Sequence, residues 1–139
     1  MLSKIVFAIY LLVIGVVDMF TSSIHLLLLA AGVVPIFLSL FTGGDISLPE
    51  RALGLATGLA VLCVSLITRE KIGKGDALLL CITGAFLGVY DNAVLIAMAF
   101  MLIICYSLTM LARGRLNKSS RVPFAPFVFA GYLMLLVIV

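Results

Sequence analysis

"ALLLCITGAFLGVYDNAVLIAMAFMLIICYSLTMLA", residues 77–112, decides how many times this chain turns back on itself. As one helix it would extend about 54 Å at about 1.5 Å per residue, far beyond a hydrocarbon core of about 30 Å. Its polar residues gather at Tyr90, Asp91 and Asn92. The reading is therefore two helices, 77–90 and 92–112, joined by a tight hairpin at 90–92.

Lipid is the solvent this composition calls for. Of 139 residues, 65% are hydrophobic and 11% charged, and the mean hydropathy is +1.38. A soluble domain carries about 25% charged residues. Outward from 77–112, punctuation by charge, Gly and Pro gives further apolar stretches at 3–20, 24–42, 52–68 and 122–139. The expected fold is an all-α membrane protein with six transmembrane helices in a single domain, 1–139. The opening "MLSKIVFAIYLLVIGVVDMF" has Lys4 ahead of an apolar run, as a signal peptide does. No small-residue cleavage site follows it, so it reads as a retained first span. A net charge of +3 is too small to suggest a nucleic-acid partner.

If six spans alternate, one side receives Arg69, Lys71, Lys74, Arg113, Arg115, Lys118 and Arg121, and the other only Lys4 and Arg51. That asymmetry makes the first side cytoplasmic, with both termini outside. Deleting the short fourth span would put the 113–121 cluster across the membrane from Lys71 and Lys74. The charges thus argue for a helix that length alone does not establish.

The same topology sorts the six acidic residues. Asp45, Glu50 and Asp91 fall outside; Asp18, Glu70 and Asp76 fall on the cytoplasmic side. Asp18 closes the first helix and Asp76 opens the fourth, at similar depth. Ionisable groups in membrane helices are functional candidates. Each has a plainer alternative. Asp76 also fits an N-cap, and Asp18 fits an interfacial residue, although an anion at a helix C-terminus opposes the macrodipole. Two aspartates brought together can divide one proton, one acting as base on a water and the other as acid. That is acyl transfer without metal or cofactor. Gly73 and Gly75 suit a loop that approaches a substrate closely and adopts positive φ. A phosphate loop is a poor reading of "GKGD", which lacks the preceding strand and the Lys-Ser/Thr ending. Cys63, Cys81 and Cys105 stand singly in apolar runs, without CxxC spacing, and read as buried small hydrophobes rather than metal ligands.

"REKIGKGDALLLCITGAFLG" (69–88) resembles the signature of the type IV prepilin peptidases, whose second catalytic aspartate ends a Gly-x-Gly-Asp motif. Arg69-Glu70 stands where that family has a basic-acidic pair, and Gly84 and Gly88 lie in the helix that follows. Asp18 matches the first catalytic aspartate, which closes the first helix of the peptidase domain. "RVPFAPFVFAGYL" (121–133) resembles the Pro-Phe-Gly-Pro-Phe opening of the last helix. There are departures. After Asp18, Ile24 is kept, but the family's base is missing and His25 stands where Pro is usual. Leu78 replaces a common Lys, and Ala125 replaces the glycine between Pro123 and Pro126. His25 reads as an interfacial residue at a helix start.

The resemblance implies an aspartyl endopeptidase of the bacterial cytoplasmic membrane, with Asp18 and Asp76 catalytic. Gly73, Gly75, Glu70, Pro123 and Pro126 would shape the loop or bind substrate. Its partners would be type IV prepilin or pseudopilin precursors, cut at the cytoplasmic face between a short basic leader and an apolar helix. Relatives that also methylate use a domain with paired CxxC motifs, which these residues lack, so methyl transfer is not expected. The competing readings are a catalytically inactive pilin-binding scaffold and a small transporter component. Midplane charges would favour the transporter, and every carboxylate here sits at a helix end.

Overall fold

A computed structural model describes residues 2–21, 26–42, 46–67, 73–114 and 122–138. Its elements are all helical: α1 (Leu2–Thr21), α2 (Leu26–Ala31), α3 (Val33–Phe41), α4 (Leu48–Ile67), α5 (Lys74–Leu87), α6 (Val89–Ala112) and α7 (Ala125–Ile138). By length and composition α1, α4 and α6 are able to cross a membrane, while Leu26–Phe41 and α7 are shorter apolar helices. α5 has 14 residues, about 21 Å of helix.

The helices are polarised in the sense that hydrocarbon requires. α4 turns Arg51, Gly54, Gly58 and Ser65 inward and leaves Leu53, Leu55, Leu59, Val64 and Leu66 exposed. Lipid tails are as apolar as leucine, so burying leucine against another helix gains little. Close backbone approach and interhelical hydrogen bonds drive association instead. A Cβ on Gly54 would run into the Gly84 carbonyl, and one on Gly58 into the Cys81 backbone. Two glycines one turn apart on α4 thus let α5 lie directly against it.

Polar ties then hold α5 in register. The Asn92 side chain is fully buried; it accepts from the Thr83 hydroxyl at 2.8 Å and donates to the Thr57 hydroxyl at 3.0 Å. At the opposite end of α5 from Asp76, Arg51 donates to Ser39 Oγ (2.7 Å) and to the carbonyls of Ala85 (3.2 Å) and Ile46 (3.4 Å). Ser39 and Ala85 lie in the last turns of α3 and α5, where the helix dipole favours a cation. α1 runs antiparallel to α7: Tyr132 donates its hydroxyl to the Lys4 carbonyl at 3.2 Å, and Phe7 meets the Tyr132 ring edge-on at 5.1 Å. Phe7 also stacks on Phe86 of α5 at 3.9 Å. α1, α5 and α7 therefore share one core.

Four expectations change. The turn after α5 is at Gly88, with φ +79°, and not at 90–92. The Gly88 N–H donates to the Gly84 carbonyl and its own carbonyl accepts from Asn92. Glycine tolerates that φ, whereas Asp91 belongs in the first turn of α6, where the dipole favours an anion. The stretch 24–42 is interrupted at Gly32. Pro35 has no N–H for the Ala31 carbonyl, and Gly32 instead bonds the Leu29 carbonyl at 3.0 Å. Cys81 is buried, but Cys63 and Cys105 are exposed, on apolar outer faces where a weakly polar thiol is at home in lipid. Gly73 (φ −58°) and Gly75, inside α5, do not have positive φ.

Candidate active site

Asp18 lies in the last turn of α1 on the stripe formed by Phe7, Leu11, Ile14 and Gly15. It is only 4% exposed. A buried carboxylate at a helix C-terminus is doubly unfavourable, by desolvation and by the dipole. α7 compensates. The N–H of Ala125 donates to Asp18 Oδ2 at 3.1 Å, placing the carboxylate at the positive end of α7 rather than only at the negative end of α1. The Phe124 carbonyl accepts from Phe127 and Val128, so Phe124 caps α7 and Ala125 is its first helical residue. A Cβ on Gly15 would lie 3.3 Å from Pro126 Cα. Gly15 is what permits α7 to come this close.

Asp76 occupies the third position of α5, after the N-cap Gly73. Gly73 therefore fills the cap position for which Asp76 was also a fit. The Ala77 N–H donates to the Gly73 carbonyl at 3.1 Å. A Cβ on Gly73 would come within 2.8 Å of Asp76 Oδ2. The glycine serves to make room for the carboxylate, and its backbone angles need no special tolerance. Gly75, the second helical residue, keeps the first turn free of side-chain bulk. Asp76 is half-buried, and the negative charge of Asp18 acts on it. Two carboxylates from the end of α1 and the start of α5 thus lie within range of each other's charge, each beside the N-terminus of a helix.

Pro123 and Pro126 flank Phe124-Ala125 at the same end. Pro126, in the first turn of α7, forgoes an N–H that would have no intrahelical partner there. Glu70 and His25 lie outside the described residues. Among the described residues no group of three His, Cys, Asp or Glu is placed to hold a metal ion. Sequence reasoning noted Ala125 only as a substitution and passed over Gly15. The signal for both was the misplaced charge of Asp18, which demanded a donor from another helix.

Residues 5–108 match the type IV leader peptidase family. Over 136 residues the chain is 29% identical to a prepilin leader peptidase/N-methyltransferase of Bacillus subtilis (strain 168), an alignment covering 94% of this chain and 53% of that protein. The chain thus spans about half the length of this relative. No solved structure matches it. A family match over most of the chain assigns this protein to the type IV leader peptidase family.

Proposed function

We propose that this chain is a membrane-embedded aspartic endopeptidase in which Asp18 and Asp76 cleave the leader peptides of type IV prepilin-like precursors. The observation that carries this reading is the convergence of the two carboxylates, from the end of α1 and the start of α5, within range of each other's charge. With one proton between them, the ionised aspartate takes a proton from water while the water oxygen attacks the scissile carbonyl carbon. The protonated aspartate gives its proton to the carbonyl oxygen. As the tetrahedral intermediate collapses and the C–N bond breaks, the first aspartate gives its newly acquired proton to the departing amine and the second takes a hydroxyl proton from the intermediate. Each carboxylate has played both parts when the cycle closes, with no covalent intermediate.

The protein resides in the bacterial cytoplasmic membrane with six helical passes, both termini outside and the aspartates at the cytoplasmic end. The asymmetry of Arg and Lys supports that orientation. The shortness of α5 fits it as well: surrounded by α4, α6, α3 and α2, it has no need to match the full bilayer. A substrate with a basic leader in the cytoplasm and an apolar helix in lipid would present its junction at the depth of Asp18 and Asp76.

Co-expression with a prepilin precursor tests the reading. The wild-type chain should produce a leader-sized mobility shift. Asp18→Asn and Asp76→Asn should each reduce cleavage about a thousandfold or more, since members of one catalytic unit fail together. Capture of the precursor without any cleavage would identify a scaffold instead.

A further inference from the structure

We propose that the backbone N–H of Ala125 is the positioning group for Asp18, fixing one carboxylate oxygen so that the other is presented to the catalytic water. This rests on the aspartic peptidase reading and assigns α7 a part in it.

The donor is built for one acceptor. In the first turn of α7, the N–H of Phe127 is taken by the Phe124 carbonyl at 3.0 Å and Pro126 has none. The Ala125 N–H is one of the groups a helix start leaves without an intrahelical partner. It finds Asp18 Oδ2, 107 residues away in sequence. Both partners are out of water, Asp18 at 4% and Ala125 at 0% exposure, so solvent is poorly placed to replace the bond. The spacing is set from the other side by Gly15, one turn before Asp18, which admits Pro126 against α1.

The consequence is rotational. A carboxylate without a fixed partner samples several rotamers, and proton transfer requires one geometry. Anchoring Oδ2 leaves Oδ1 to take the proton from water. Asp18, the carboxylate with one oxygen fixed, then acts as the base of the first step and Asp76 as the acid. Residue 125 is then constrained in its backbone and only loosely in its side chain. Glycine keeps the donor; proline does not, although proline is otherwise well suited to the first position of a helix.

The test uses the purified full chain and a precursor whose basic leader ends in Gly ahead of an apolar helix. Ala125→Pro should lower kcat about ten- to a hundredfold, the range of one charge-assisted hydrogen bond, with KM changed less than about twofold. Ala125→Gly is the conservative comparator and should stay at least tenfold above the proline variant in kcat. Because the proline ring adds bulk in a buried place, a second variant carries lactic acid at position 125, which replaces the N–H by an ester oxygen at nearly constant shape. The same kcat loss at constant KM is expected of it. If the ester variant turns over at the wild-type rate, the positioning role is overturned, whatever the proline variant does. Equal losses in the glycine and ester variants would overturn it too, because side-chain packing would then account for both. Activity of Asp18→Asn near that of wild type would instead overturn the peptidase reading on which the inference rests.

Discussion

At the scale of single residues, the site is a matter of which carboxylates lose water and gain a helix N-terminus. Asp18 accepts the first amide of α7, and Asp76 sits in the first turn of α5 with Gly73 leaving space beside it. Glu70 differs in its sequence setting, between Arg69 and Lys71, and a carboxylate that serves a surface ion pair contributes about 0 to 1 kcal/mol. Glu70→Gln should therefore keep activity within about tenfold in a cleavage assay. The double variant Asp18→Asn, Asp76→Asn should be little worse than either single one. A dead Glu70→Gln beside an active Asp18→Asn would place the working pair at Glu70 and Asp76. The sequence singled out the two aspartates, through Gly-x-Gly-Asp and the place of Asp18 at the end of the first helix. What held Asp18 there was not legible in it, since its donor is a backbone amide and carries no residue signature.

At the scale of helices, α5 is the element on which the site depends, and its placement comes from small residues. Gly58→Leu should push α4 from α5 at the Cys81 backbone. Overpacking of this kind costs about 1 to 3 kcal/mol, measurable as a lower midpoint in SDS unfolding. Asn92→Leu removes the ties to Thr83 and Thr57, and should cost about 0.6 to 2 kcal/mol by the same measurement. An unchanged midpoint in both variants would show that α5 is held by something else. The sequence marked the break between α5 and α6 but misplaced it by two residues. Polar Tyr90, Asp91 and Asn92 stand out in an apolar run, whereas the turn is made by Gly88, whose φ of +79° leaves no trace in polarity. Asn92 was polar because three helices share it.

At the scale of the whole molecule, the prediction is topological. Single cysteines at 45, 74 and 115, placed in a background without Cys63, Cys81 and Cys105, should respond to a membrane-impermeant thiol reagent at 45 only. Labelling at 74 and 115 with protection at 45 would reverse the orientation drawn from the basic residues. Composition alone determined that the chain belongs in lipid and is helical, since 65% hydrophobic residues exceed what a core of this size can hide and backbone groups in hydrocarbon must be satisfied within each segment. Motif spacing determined which two carboxylates to watch. Only the tertiary structure decided that Leu26–Phe41 breaks at Gly32 and that α4 presents its glycines inward. It alone decided that α7 delivers an amide to Asp18. The physical reason is common to all three. Hydropathy reports a residue's preference for lipid over water, and inside a bilayer that preference no longer distinguishes a buried face from an exposed one. Close approach and hydrogen bonding between distant segments settle the packing there, and those exist only once the helices have met.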